Sequence, residues 1–126
     1  MSNTAVFADA NVVIEASLPA RKQTEKARRY LASHPTVISP LSAHLLVYVG
    51  IKAHVPFDLL LRMLKTQHYT QFGSDEIQWA LANHENKDFE DALQVACAVI
   101  HGCRQFVTFD RVLTKRYGQF IDIRVL

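Results

Sequence analysis

Two short apolar runs in this chain each end at an aspartate. Residues 4–8 lead into Asp9, and residues 106–109 lead into Asp110. Short apolar runs of this kind predict buried strands of a parallel sheet. A third aspartate, Asp91, lies near the start of an apolar helical run, 91–100. If the two strands are neighbours in one sheet, their carboxyl ends lie at the same edge, and we expect the three carboxylates to converge there.

A cluster of carboxylates predicts a bound cation. Like charges repel one another, and each is costly to remove from water unless an opposite charge compensates it. Hard oxygen ligands suit Mg²⁺ or Mn²⁺. Such ions activate water for attack on phosphodiester bonds. We therefore predict that Asp9, Asp91 and Asp110 are both metal ligands and catalytic residues.

The rest of the chain alternates between short apolar runs and helical patterns. This alternation is typical of an α/β fold, and right-handed crossovers would place helices on both faces of one parallel sheet. Besides the two strands that precede aspartates, we predict a second strand, a last edge strand and a short candidate strand, at 36–39, 121–123 and 69–72. The predicted helices are 11–17, 23–32, 40–52, one from 56 to at least 64, one capped by Ser74 that runs to 83, and one from 88 that ends at Gly102.

The composition fits a single soluble domain. The chain has 126 residues, of which 49% are hydrophobic and 21% charged, and its formal net charge is +2. That charge is too small to indicate a nucleic-acid partner by itself. Two cysteines suggest no disulfide framework and favour the reducing cytoplasm. We expect neither a signal peptide nor a transmembrane helix, because no suitable apolar stretch is present.

Several other site classes lack support. The chain has no G-x-G-x-x-G, no phosphate-binding loop and no G-x-S-x-G elbow, and its six histidines form no H-E-x-x-H or zinc-ligand spacing. A dinucleotide-binding protein, a zinc protease and a serine hydrolase are therefore not indicated.

Three blocks, residues 7–11, 88–94 and 107–110, resemble the signature blocks of PIN domains in residue type, order and spacing. The chain is particularly similar to small prokaryotic PIN proteins of the VapC toxin type. The resemblance implies one domain over 1–126, with a three-layer α/β/α fold and a central, mostly parallel sheet of about five strands. It also implies an endoribonuclease dependent on Mg²⁺ or Mn²⁺ that cleaves RNA as the toxin of a type II toxin–antitoxin pair, with a cognate antitoxin and a homodimer as its partners.

The resemblance also assigns roles to single residues. Asp9, Asp91 and Asp110 match the acidic metal site of the family. Asn11 matches a small polar residue that supports the first aspartate, and Ser42 stands where the family has a threonine. We expect Asn11 and Ser42 to orient the ligating carboxylates through hydrogen bonds.

One position departs from the family pattern. The family usually has a glutamate on the helix after the second strand, and Leu45 stands at that position. His44 is one residue away, about 100° around the helix. It is a candidate replacement ligand, since imidazole suits Mn²⁺ better than Mg²⁺, or a residue that lines the cleft. The lost charge also leaves open a catalytically weakened PIN-fold module that binds RNA or a partner.

Asp88 and the basic residues near Asp110 complete the candidate set. Asp88 and Asp91 have the spacing of a capping box, so we expect Asp88 mainly to cap the helix, with a metal or water contact as the alternative. The basic residues that follow Asp110 would lie beside the proposed metal, and we expect them to bind RNA phosphate. They are Arg111, Lys115 and Arg116.

Overall fold

The sheet at the centre of the molecule has four parallel strands. The computed structural model describes residues 5–126, and in them the strands follow the order β2-β1-β3-β4. The strands are β1 Val6–Ala8, β2 Thr36–Val37, β3 Gln105–Thr108 and β4 Ile123–Val125. The predicted first strand began at Thr4, which lies outside the described residues. In the register, Ala8 lies opposite Val107, so both strands that precede an aspartate end at the same edge.

Seven helices surround the sheet within the described residues. They are α1 Ala10–Ser17, α2 Thr24–Ala32, α3 Pro40–Lys52, α4 Phe57–Lys65, α5 Ser74–Asn83, α6 Phe89–His101 and α7 Val112–Tyr117. None of the helices in 5–126 combines the length and the apolar character needed to cross a bilayer.

Side chains that alternate along the strands separate two cores. Val6 and Val107 pack on one face with residues of α1 to α4. Phe7 and Phe106 stack on the other face, with ring centroids 5.3 Å apart, among residues of α5, α6 and α7. Because the two central strands, β1 and β3, are covered on both faces, buried apolar residues follow one another along them. The predicted three-layer α/β/α fold is confirmed.

In the described residues the sheet has four strands, where the sequence predicted about five. The candidate strand 69–72 contributes only one parallel bridge, between Ile38 and Tyr69. Two backbone hydrogen bonds, from the Ile38 N–H to the His68 carbonyl and from the Thr70 N–H to the Ile38 carbonyl, hold it beside the end of β2. The segment therefore covers this edge of the sheet without forming a strand.

Three local predictions also need correction. The last strand lies two residues later than predicted, because Ile121 is buried in the second core and precedes the strand. Helix α7 was not predicted, since a six-residue helix is too short for a clear periodic pattern. Gly73, and not Ser74, is the N-cap of α5. The Gly73 N–H donates to the Glu76 carboxylate at 2.7 Å, which is half of a capping box.

A buried polar bridge joins the start of α3 to α6. The Ser39 hydroxyl donates to Gln94 Oε1 at 2.6 Å, and Gln94 Nε2 donates to the Ser42 hydroxyl at 3.1 Å. All three side chains are buried. Since Gln94 lies three residues after Asp91, this bridge fixes the helix that carries the third aspartate.

We predict that Gln94→Ala lowers the free energy of unfolding by about 2–4 kcal/mol, because it leaves two buried hydroxyls without their partner. Urea denaturation measures the change. The matched control is Gln78→Ala, whose side chain is exposed and bonds only to the Ser74 hydroxyl. It should shift the free energy by less than about 0.5 kcal/mol. Equal effects of the two substitutions would contradict a structural role for the bridge.

Candidate active site

Asp9 lies between the end of β1 and the start of α1. Its Oδ1 accepts the Ala10 N–H at 2.8 Å, which makes Asp9 the N-cap of α1. Its Oδ2 accepts a hydrogen bond from the Thr108 hydroxyl at 2.9 Å. Only 7% of the residue is exposed. The carboxylate is therefore fixed in place by both strands that end at this edge of the sheet.

Thr108 is the hub of the hydrogen bonds around Asp9. While its hydroxyl donates to Asp9, the same oxygen accepts from Asn11 Nδ2 at 3.2 Å and from the Asp110 N–H at 3.0 Å. The Asn11 Oδ1 accepts the Phe109 N–H at 3.2 Å. Asn11 thus supports Asp9 through Thr108, without a direct bond. Thr108 was not predicted as a site residue, although a single hydroxyl in an apolar strand, two residues before an aspartate, is a usable signal.

The structure brings the three predicted aspartates together. Burial raises the pKa of Asp9 to about 7, and the charges of Asp91 and Asp110 raise it as well. Burial also raises the pKa of Asp91 to about 6, helped by the charges of Asp110, Asp88 and Glu90. Asp110 is half-buried, and its Oδ1 accepts the Val112 N–H at the start of α7. The three carboxylates, which come from different parts of the chain, therefore lie close enough for their negative charges to repel one another.

The carboxylates of Asp9, Asp91 and Asp110 are the type of oxygen ligand that a hard divalent cation prefers. None of the ion pairs in the described part of the chain includes Asp9, Asp91 or Asp110, so these charges lack a bonded counter-ion. In residues 5–126, no group of three or more His, Cys, Asp or Glu side chains is arranged so that all of them could hold one metal ion. Mg²⁺ keeps several waters when it binds, so it needs only one or two direct carboxylate ligands.

The prediction that Asp88 caps α6 was wrong. Asp88 stands at the N-cap position, but its side chain makes no capping bond. Its ψ of 35° differs from the extended conformation that directs an N-cap side chain at the helix. Instead, Oδ1 accepts the Glu85 N–H at 2.8 Å, and Oδ2 accepts the Tyr117 hydroxyl at 2.6 Å and an Arg116 N–H at 3.3 Å. Asp88 therefore joins the loop before α6 to α7.

Two predicted supporting residues have other surroundings. Ser42 bonds to Gln94, and the contacts of the described residues do not join it to an aspartate. His44 is exposed beside the Tyr48 ring, with centroids 6.4 Å apart. His44 and Leu45 line an apolar groove of about 220 Å³ between α3 and α6. Leu45 itself packs against the first core.

The basic residues beside Asp110 differ in solvent exposure and in their contacts. Arg111 and Lys115 are exposed, whereas Arg116 is half-buried against Asp88. Arg116 and Lys87 line an open cleft of about 740 Å³ together with Asp88 and Asp91. The cleft therefore places cationic side chains next to one of the three aspartates.

The raised pKa of Asp9 predicts an unusual dependence of stability on pH in metal-free protein. Its folded pKa of about 7 exceeds the ordinary value of 3.8, so the folded state binds the proton more tightly. Stability should therefore fall as pH rises from about 4 to 7 and lose up to about 4 kcal/mol from this group. Asp9→Asn removes that loss, so the variant should become the more stable protein above pH 6.

Melting temperatures measured with chelator between pH 4 and 8 test this. Asp58→Asn, which changes an exposed carboxylate on α4, is the matched control and should follow the wild type. A constant difference between Asp9→Asn and wild type across this range would contradict the prediction.

Comparison with known proteins agrees with this architecture. A PIN domain family model matches residues 6–119. A chain of a toxin–antitoxin complex from Klebsiella pneumoniae has 19% sequence identity and a TM-score of 0.75, with 97% of each chain covered. VapC20 from Mycobacterium tuberculosis, described as a sarcin–ricin loop cleaving toxin, has 20% identity and a TM-score of 0.72, over 94% of this chain and 98% of its own.

A third similar structure is VapBC2 from Rickettsia felis, bound to a DNA fragment from its promoter. The matching chain has 12% identity and a TM-score of 0.66, over 98% of this chain and 99% of its own. At such identities the likeness shows the fold. No curated protein gave a significant sequence match. Since the family model spans most of the sequence, with both strands that end at an aspartate and the helix that carries Asp91, the chain belongs to the PIN domain family.

Proposed function

We propose that this protein is a metal-dependent endoribonuclease and the toxin of a type II toxin–antitoxin pair. The observation that carries the proposal is the electrostatic coupling of Asp9, Asp91 and Asp110, of which Asp91 lines an open cleft together with Lys87 and Arg116. Buried carboxylates that raise one another's pKa are unfavourable for folding, and they are typical of functional sites. PIN family membership and a similar fold in an RNA-loop-cleaving toxin support RNA as the substrate.

The three aspartates would hold one or two Mg²⁺ or Mn²⁺ ions. Bound there, the metal supplies an activated water and stabilises charge on the phosphate and the leaving oxygen. Thr108 fixes the Asp9 carboxylate by its hydrogen bond, and Asn11 fixes Thr108 in turn. The Ala10 N–H occupies Asp9 Oδ1, so the orientation of this carboxylate is set before any substrate arrives.

Arg111, Lys115 and Arg116 would bind the phosphates that flank the cleaved bond. Two of them, Arg111 and Lys115, are exposed on or next to α7, and the first N–H of this helix, that of Val112, donates to the Asp110 carboxylate. Asp110 therefore belongs to the acidic centre, which Asp9, Asp91 and Asp110 form, and it also positions α7 with its basic residues. This arrangement places cations beside the acidic centre, where they would offset the repulsion between the carboxylates and RNA.

The proposal extends to the protein partners and to the cellular compartment. Similar folds occur in toxin–antitoxin complexes, which supports a cognate antitoxin for this chain, and we also propose a homodimer. Residues 1–126 would form a single PIN domain that acts in the cytoplasm. Cys97 and Cys103 are buried free thiols.

A second function is favoured by one observation at Leu45. The residue packs against the first core where the family usually has a glutamate, so the site has one carboxylate fewer. Weaker metal binding would leave a PIN-fold module that binds RNA or a partner without cleavage. Metal-dependent cleavage separates this function from the first.

We predict that wild-type protein cleaves RNA with Mg²⁺ or Mn²⁺, and that chelator abolishes cleavage. Asp9→Asn should reduce the rate at least about 100-fold, because it removes a charge from the centre that binds the ion. Gel analysis of end-labelled RNA pools measures the rate, and Asp58→Asn is again the control. Folded wild-type protein that leaves varied RNAs intact with both metals would favour the binding module.

We also predict that Arg111→Ala/Lys115→Ala weakens RNA binding and flattens its salt dependence. For every phosphate that is no longer neutralised, the slope of log affinity against log salt should fall by about 0.7 for single strands. Fluorescence anisotropy with chelator, in an Asp9→Asn background, measures binding without cleavage. Arg62→Ala/Lys65→Ala removes two cations from α4 and should leave the slope unchanged. An unchanged slope in the first pair would exclude these phosphate contacts.

A further inference from the structure

Arg116 lines a cleft with two carboxylates, Asp88 and Asp91, and bonds to Asp88. Its guanidinium is 3.3 Å from Asp88 Oδ2, and 29% of its side chain is exposed. Its positive charge also lowers the pKa of Asp91, so it lies within electrostatic reach of the acidic centre. Arg116 and both carboxylates line the same open cleft. The guanidinium therefore has an alternative partner close by.

Asp88 is held rigidly, independently of Arg116. The Tyr117 hydroxyl and the Glu85 N–H bond to its two oxygens, and only 4% of the Asp88 side chain is exposed. Tyr117 is fully buried in the second core, so its hydroxyl has a fixed position. Asp88 is therefore a fixed anchor for the more mobile arginine side chain.

Loss of this anchor has a specific consequence. An arginine released from Asp88 would have Asp91 as the other carboxylate that lines the cleft, and Asp91 is in none of the ion pairs of the described residues. Arginine–carboxylate pairs are charge-assisted and frequently bidentate, so such a pair would occupy both oxygens of Asp91. A divalent cation would then have to displace the guanidinium before it could bind.

We propose that Asp88, fixed by Tyr117, is a positioning residue that keeps the Arg116 guanidinium off Asp91 and so leaves that carboxylate open to a cation. The inference rests on the proposed function, in which Asp91 is a metal ligand. It assigns Asp88 neither a capping nor a ligating role. The Tyr117 hydroxyl contributes through Asp88 alone.

A double-mutant cycle on Mn²⁺ affinity, measured by calorimetry on the full chain, tests the proposal. Asp88→Asn should weaken Mn²⁺ binding about tenfold or more, whereas Arg116→Gln alone should change it about twofold. Asp88→Asn/Arg116→Gln should return to within about threefold of wild type, because no guanidinium is left to compete. Tyr117→Phe should weaken binding partially. Strictly additive effects would overturn the proposal.

Glu90→Gln is the matched control for charge. Glu90 is exposed on the same helix, and its charge raises the pKa of Asp91 as that of Asp88 does, yet Glu90 forms no ion pair with Arg116. It should therefore lower Mn²⁺ affinity without any coupling to Arg116→Gln. Equal coupling in both cycles would show a general effect of charge and overturn the specific role of Asp88.

A crystal structure of metal-free Asp88→Asn gives an independent answer. The proposal expects an Arg116 nitrogen within about 4 Å of an Asp91 oxygen, the reach of an ion pair, and an arginine that stays away from Asp91 would overturn it. If wild-type protein binds no Mn²⁺, the metal dependence in the proposed function is wrong. The position of Arg116 in the Asp88→Asn crystal structure still decides the present inference. Melting temperatures of each variant verify that it is folded.

Discussion

The acidic centre depends on the hydrogen bond from the Thr108 hydroxyl to the Asp9 carboxylate. The parallel register sets Ala8 opposite Val107, so Asp9 and Thr108 follow as the next pair at the strand ends. This bond opposes the effect of burial on the pKa of Asp9. Because the same hydroxyl accepts the Asp110 N–H, one oxygen also fixes the backbone where the other aspartate begins. The position of two carboxylates thus follows from strand register.

The surroundings of these carboxylates favour function over stability. An aspartate buried without a cation destabilises the folded state at neutral pH, since its charged form is poorly solvated. The fold tolerates this because the apolar cores on both faces of the sheet contribute separately to stability. Asp88 shows the opposite case, since its buried charge has three hydrogen-bond partners. The difference between the two aspartates supports the proposed role of Asp9 as a ligand of a cation.

Much of the architecture could be predicted from the sequence, because short apolar runs and aspartates at their ends are local patterns. The layers, most of the element order and the electrostatic coupling of Asp9, Asp91 and Asp110 followed from them. Contacts between distant residues could not be predicted in this way. Asp88 has capping-box spacing, yet Tyr117 lies 29 residues away and determines its role. Helix α7 was missed for a related reason, since Leu113 and Tyr117 are too few to define a period.

In the proposed metal site, Leu45 stands in place of a glutamate, which increases the importance of the charges of Asp9, Asp91 and Asp110. With a fourth carboxylate, an arginine paired to Asp91 would neutralise one charge of four, and here it would neutralise one of three. The residual attraction for a divalent cation falls in proportion, since the interaction between charges scales with their product. Leu45 packs against the core and offers no oxygen to compensate. In the proposed metal site, which lacks the glutamate, cation binding would therefore depend more on the contact between Arg116 and Asp88 that we propose keeps Asp91 free.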